Sequence, residues 1–187
     1  MRATESSGRG VMSSATCVVS GSFRRYYAEI CDVITTFESH GIHVLSPARS
    51  VIVNPGAEFV LFADDNTSDV GEVEQAHLAK IAKADFVYCY NPNGYVGINT
   101  TFELGFAYAH GVPVIALAYT GNPGLDCFLS DVCSPSDIMR KCAYHWGAGN
   151  RREFIPQRER MTVKSTIHNG RADLNKWNLG RCPKEVL

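Results

Sequence analysis

The sequence predicts an α/β domain in which a central parallel sheet is flanked by helices. Two stretches carry that reading. Residues 15–45 pass from an apolar, β-branched segment through an amphipathic helical pattern to a second apolar segment, and residues 86–117 repeat the order strand, loop, helix, strand. Crossovers of this length join parallel strands, and they are right-handed. The third observation is size: 187 residues, 45% hydrophobic and 20% charged, suit one domain with a sizeable core.

Residues 1–14 are rich in Ser, Gly and Arg, have no apolar segment of the kind a secretory signal carries, and read as a flexible tail. The domain itself is expected over 15–140. Residues 15–20 (ATCVVS) form a strand that Gly21 and Ser22 break. Over 24–40, Tyr27, Ile30, Cys31, Ile34 and Phe37 recur at spacings of three and four, an amphipathic helix that Gly41 ends. Residues 42–45 make the second strand, closed by Ser46 and Pro47. A loop follows over 47–56; residues 57–63 read equally as a short strand or a helical turn, and 64–69 as a polar turn. Residues 70–84 are helical, with Val73, Ala76 or His77, Ile81 and Ala84 on one face.

Residues 86–90 (FVYCY) are the next strand, followed by a turn-rich loop through Asn91-Pro92-Asn93-Gly94 and Gly97. Asn99, Thr100 and Thr101 are N-cap candidates for a helix that reaches His110 and stops at Gly111 and Pro113. That start puts Glu103 in the first helical turn. Residues 114–117 form a further strand, and 125–137 are expected to hold a short helix and a strand. From Lys141 the chain is polar and basic without clean periodicity. Residues 141–187 read as an irregular extension, since Phe154, Ile155, Ile167, Leu174 and Trp177 are too few for a core of their own.

The net charge of -1 hides an asymmetry: residues 1–137 carry 7 Lys/Arg against 15 Asp/Glu, and residues 138–187 carry 11 against 4. The basic segment, with Arg151, Arg152, Arg158 and Arg160, lacks a recognised nucleic-acid module and interleaved aromatics, so a solvated or oligomer-facing role is expected. The seven cysteines fit no CxxC spacing. Cys17, Cys31 and Cys89 lie in apolar runs and read as small buried hydrophobes, and Cys127, Cys133 and Cys142 with His145 match no zinc pattern. Neither metal nor cofactor is expected, and reduced thiols suit a cytoplasmic protein. No run approaches the ~18 apolar residues of a membrane span.

Two loops follow predicted strands and face the same edge of the sheet, where α/β folds bind ligands. The first is Ser20-Gly21-Ser22-Phe23-Arg24-Arg25. It reads either as a phosphate or 5′-hydroxyl cradle, with backbone N–H groups, a serine hydroxyl and an arginine fork, or as a tight turn with two solvated arginines. It is neither GxGxxG nor a P-loop, which removes support for NAD and ATP chemistry. The second loop leads to Glu103. A first-turn carboxylate is favoured by the helix dipole whether or not it works. Phe102, Leu104 and Phe106 beside it place it against buried surface.

Together the strand–SGSFR loop, the acidic segment before a helix ending in Ala84-Asp85, and the run GYVGINTTFELGFAYAHGVPVI resemble the nucleoside 2-deoxyribosyltransferase superfamily, which includes nucleoside 5′-monophosphate N-glycosidases. The resemblance spans residues 17–117. The element E-L-G-x-A-x-A-x-G-x-P-V-I is fairly specific, and the SGSFR loop alone is not. The implied fold is a flavodoxin-like (Rossmann-like) parallel sheet, here with an irregular basic C-terminal extension.

The resemblance makes Glu103 the nucleophile at the anomeric carbon. Family hydrolases meet the substrate's phosphate with the serine and arginine of the first loop, which points to Ser22 and Arg24 within a binding loop of Ser20, Gly21, Ser22, Phe23 and Arg24. Where the family often has an aspartate acting near the base, this chain has His77; where it has a strand tyrosine and a serine before the glutamate, this chain has Val18 and Gly97. Asn99, Thr100 and Thr101 are placed to supply a hydroxyl or amide instead. The leaving base needs a proton, for which Glu74, His77, Asp64 and Asp65 are candidates. Glu74 and His77 share a helix face, His77 reads otherwise as a hydrogen-bonded core histidine, and Asp64 and Asp65 read otherwise as a turn.

The catalytic set is thus Glu103, His77 and Asp65, and the binding set adds Glu74, Gly97, Asn99 and Thr100 to the first loop. The expected activity is hydrolysis of the N-glycosidic bond of a (deoxy)nucleoside 5′-monophosphate. Base exchange between deoxynucleosides and non-catalytic nucleotide binding are the alternatives. The expected partner is a small nucleoside or nucleotide, and the resemblance implies a homodimer or larger homo-oligomer.

Overall fold

The computed structural model describes residues 15–147. The expected N-terminal tail, residues 148–187 of the extension, and the side chains of Cys142 and His145 lie outside the described residues.

Five parallel strands alternate with helices: β1 (Thr16–Gly21), α1 (Phe23–Ser39), β2 (His43–Ser46), α2 (Val70–Ile81), β3 (Phe86–Tyr90), α3 (Ile98–Ala109), β4 (Val114–Ala116), α4 (Pro123–Asp126), β5 (Asp131–Val132) and α5 (Pro135–Gly147). The sheet order is β2-β1-β3-β4-β5, with every pairing parallel. That is the flavodoxin-like order, whose strand order reverses between β1 and β3, the point at which such sheets open a crevice at the strands' carboxyl ends.

Alternation along each strand feeds two core layers. Cys17, Val19, Phe86, Tyr88 and Ile115 face Ile30, Ile34, Phe37 and Ile138 of α1 and α5. Phe37 sets its ring edge-on to Phe86 and Tyr88 at 6.1 and 5.3 Å. Val18, Val87, Cys89, Val114 and Ala116 face Ile81, Leu104 and Ala107 of α2 and α3. Both faces are covered, so β1 and β3 read as unbroken apolar runs.

Several elements differ from the sequence reading. Residues 57–63 are neither strand nor helical turn. They fold back as a loop closed by an isolated antiparallel bridge between Ile52 and Phe62, with Asn54 bonding Phe59 O and the Leu61 N–H. The helix expected to reach residue 84 ends at Ile81, and a tight turn follows. The short helix expected after residue 125 begins at Pro123, where Asn122 caps it by accepting the Gly124 N–H. α5 continues through Gly147, past the expected domain limit at 140.

Candidate active site

The last residue of β1, Gly21, has no room for a side chain: a Cβ would stand 2.8 Å from Tyr90 O and 3.2 Å from Ile30 Cδ1. Ser20, paired with Cys89 across the sheet, is fully buried, and its Oγ has no hydrogen-bond partner among the described residues. Pleating sends it to the same side as Val18, toward α2 and α3. Ser22 caps α1 through its carbonyl, which accepts the Arg25 and Tyr26 N–H groups at 3.0 and 2.9 Å, and its hydroxyl makes no capping bond. Phe23 sets its ring against Phe62 at 5.7 Å, tying the 47–69 loop to the start of α1.

The two arginines of the first loop part company. The Arg25 guanidinium lies 3.9 Å from the centre of the Tyr95 ring, a cation–π contact that joins the first loop to the second. Arg24 is exposed and makes no hydrogen bond or ion pair among the described residues. It is the arginine available to a ligand.

Asn91 anchors the second loop. It is fully buried, donates Nδ2–H to Ala118 O at 2.8 Å and accepts the Ala118 N–H at 3.0 Å, so β3 and β4 end together. Gly94 has φ 75°, and a Cβ there would meet Tyr119 O at 2.5 Å.

α3 starts one turn earlier than the sequence reading placed it. Gly97 is the N-cap, and its carbonyl receives both the N–H and the hydroxyl of Thr101 at 2.9 Å. Asn99, Thr100 and Thr101 therefore lie inside the helix, Asn99 exposed and Thr100 buried. Glu103 is the sixth helical residue, in the second turn. The dipole account of this carboxylate loses its main support, since that effect fades after the first turn. Glu103 is 5% exposed.

His77, 8% exposed on α2, turns Nε2 toward Glu103 Oε2 at 3.6 Å. Its Nδ1 shares a hydrogen bond of 2.9 Å with Ser46 Oγ, at the end of β2. His77 is thus a hydrogen-bonded buried histidine, and its other ring nitrogen faces Glu103. Glu74, one turn earlier on α2, is half-buried with Oε1 unpartnered. Burial first, and then the charge of Glu103, hold its carboxyl above the usual carboxylate range against the opposing effect of His77. The Cys89 thiol is pushed up to about 12 by burial and by Glu103, so it stays protonated beside this group. Among the described residues, Ser20 Oγ, Glu74 Oε1, His77 Nε2 and Glu103 Oε2 are buried side-chain atoms without a hydrogen bond. Natural cores rarely tolerate such atoms in a cluster unless a site requires them.

Asp65 is bound into its own turn. One carboxylate oxygen accepts the Phe62 N–H at 2.8 Å, and its N–H donates to Phe62 O at 3.1 Å. Sequence reasoning missed Ser46, Asn91 and Tyr95. Ser46 closes a strand at the sheet's carboxyl edge, which was a usable positional signal; its pairing with His77, 31 residues away, had none.

No protein-family model and no curated protein matches the chain. Among solved structures it is similar to a 2-deoxyribosyltransferase from Bacillus psychrosaccharolyticus, at 18% identity and a TM-score of 0.46 over 67% of this chain and 90% of that one. It is also similar to the Clostridium botulinum CMP N-glycosidase BcmB, at 15% identity and 0.44 over 69% and 98%. A conserved protein from Enterococcus faecalis V583 gives 15% and 0.47 over 71% and 99%.

Proposed function

We propose that this protein is an N-glycosidase of a nucleoside 5′-monophosphate, with Glu103 as nucleophile. The observation that carries the reading is the Glu103 carboxylate: buried, without a hydrogen bond at Oε2, and 3.6 Å from His77 Nε2. The motif resemblance around it supports the same reading.

In this reading a Glu103 oxygen bonds to C1′ as the C1′–N bond breaks, through an oxocarbenium-like state. The bonding pair leaves with the base, which takes a proton from Glu74. Burial and the charge of Glu103 favour the protonated form of that carboxyl, which suits it to the task. Water then cleaves the sugar ester, and Glu74 recovers a proton. The products are free base and the sugar 5-phosphate. His77 steadies the nucleophile, and Ser22 and Arg24 take the phosphate. Ser20, Thr100 and the Gly97 N-cap line the sugar side, and Asp65 acts through the loop it closes. The homo-oligomer that the resemblance implies belongs to this reading; Ile98 and Phe102, 90% and 57% exposed one turn apart on α3, are apolar surface it would cover.

The test is incubation of the full chain with a panel of ribo- and deoxyribonucleoside monophosphates, with free base measured by chromatography. Wild type should release base from at least one, and Glu103→Ala should not. Absence of release from every nucleotide would sink the reading. Formation of a new nucleoside on adding an acceptor base would move the assignment to base exchange. A second reading, nucleotide binding without turnover, is favoured by Gly97, which brings no side chain, and by Val18, wholly buried in the core. Tight binding unchanged by Glu103→Gln, with no product, would select it.

A further inference from the structure

We propose that Ser46 is a positioning residue that donates its hydroxyl proton to His77 Nδ1 and so fixes the ring with Nε2–H facing Glu103. The geometry comes first. Ser46 is 5% exposed, and its hydrogen bond to the ring is 2.9 Å. The other ring nitrogen stands 3.6 Å from Glu103 Oε2, in a site where both groups are nearly closed to solvent.

A neutral imidazole has one N–H, and an ionised carboxylate only accepts. An Nε2 lone pair facing Oε2 would set two acceptors against each other in a poorly solvated space. An Nε2–H there is attractive, and it leaves Nδ1 as an acceptor. A serine hydroxyl serves either tautomer, so the carboxylate decides, and Ser46 completes the arrangement by donating. The 3.6 Å separation is long for a hydrogen bond, as such contacts often are before substrate arrives. Nε2–H then engages Oε2 and leaves the other carboxylate oxygen to attack. Glu74, one turn away on the same face of α2, lies beside this pair, and burial and the Glu103 charge favour its protonated form.

The kinetic consequence rests on the reading of Glu103 as nucleophile; the tautomer does not. The experiment separates the two. Full-length protein with 15N-labelled histidine is examined by long-range 1H–15N correlation, and the His77 signals are identified by their loss in His77→Gln. The expected wild-type pattern is Nε2–H with a bare Nδ1. Ser46→Ala should leave the tautomer that Glu103 selects but free the ring to turn, and lower kcat for base release by about ten- to a hundredfold with little change in KM, the usual effect of removing a partner that orients a working group. Ser46→Thr should restore kcat. An Nδ1–H or doubly protonated ring in wild type overturns the proposal, and so does a Ser46→Ala variant with unchanged kcat. The wild-type spectrum decides even if Ser46→Ala does not fold. If no nucleotide is turned over, the function reading fails while the spectra still decide the tautomer.

Discussion

Glu103 is costly where it sits, and that cost makes it informative. A carboxylate only 5% exposed forfeits hydration, and one histidine nitrogen at 3.6 Å restores it only in part. Glu103→Gln keeps the shape and removes the charge. It should therefore abolish base release while stabilising the fold by about 1 to 2 kcal/mol, read as a rise in the denaturation midpoint. Glu74 gives a second prediction at this scale. Folded, it binds its proton more tightly than the ordinary carboxyl, near 4.5, does. Its contribution to stability is present at low pH and is lost as pH rises from that value through the raised folded one. Glu74→Gln should remove this loss, so the gap in Tm between variant and wild type should widen from pH 4 to pH 7. Glu103 was legible in the sequence because its motif is local. Ser46 was not, because only the fold brings β2 against α2.

The elements turn on glycine. Three polar residues in a row suggested the start of α3, yet Gly97 took the cap because its extended backbone aims a carbonyl at Thr101. Local cap preference was outweighed by how the loop enters the helix, and the result moved Glu103 by a full turn. Gly21 has the opposite duty and keeps β1 against β3. Gly21→Ala would press a methyl to 2.8 Å from the Tyr90 carbonyl, a backbone atom that cannot swing aside. It should cost roughly 1 to 3 kcal/mol and open the crevice, reducing kcat/KM along with Tm. Asn91→Ala would strand the Ala118 N–H and C=O. A loss of about 2 to 3 kcal/mol should follow, measured by urea denaturation.

At the scale of the molecule, the strand order places every group of the site at one edge of the sheet. β1 brings Ser20 and the loop to Arg24, β2 brings Ser46, and the second loop and α3 bring Tyr95 and Glu103. The parallel sheet was legible because apolar runs of strand length alternated with amphipathic spacing. The path of residues 47–69 was not, because it depends on aromatic contacts of Phe62 with Phe23 and Tyr27 that no periodicity announces. The central claim is that a nucleotide lies across this edge with its phosphate at the first loop and its sugar at Glu103. A crystal structure of Glu103→Gln with a nucleoside 5′-monophosphate tests it most directly. The account predicts phosphate oxygens within hydrogen-bond reach of Ser22 and Arg24 and C1′ about 3 to 3.5 Å from the residue 103 carboxamide. A nucleotide bound with its phosphate at His77, or away from the β1–β3 crevice, would contradict it.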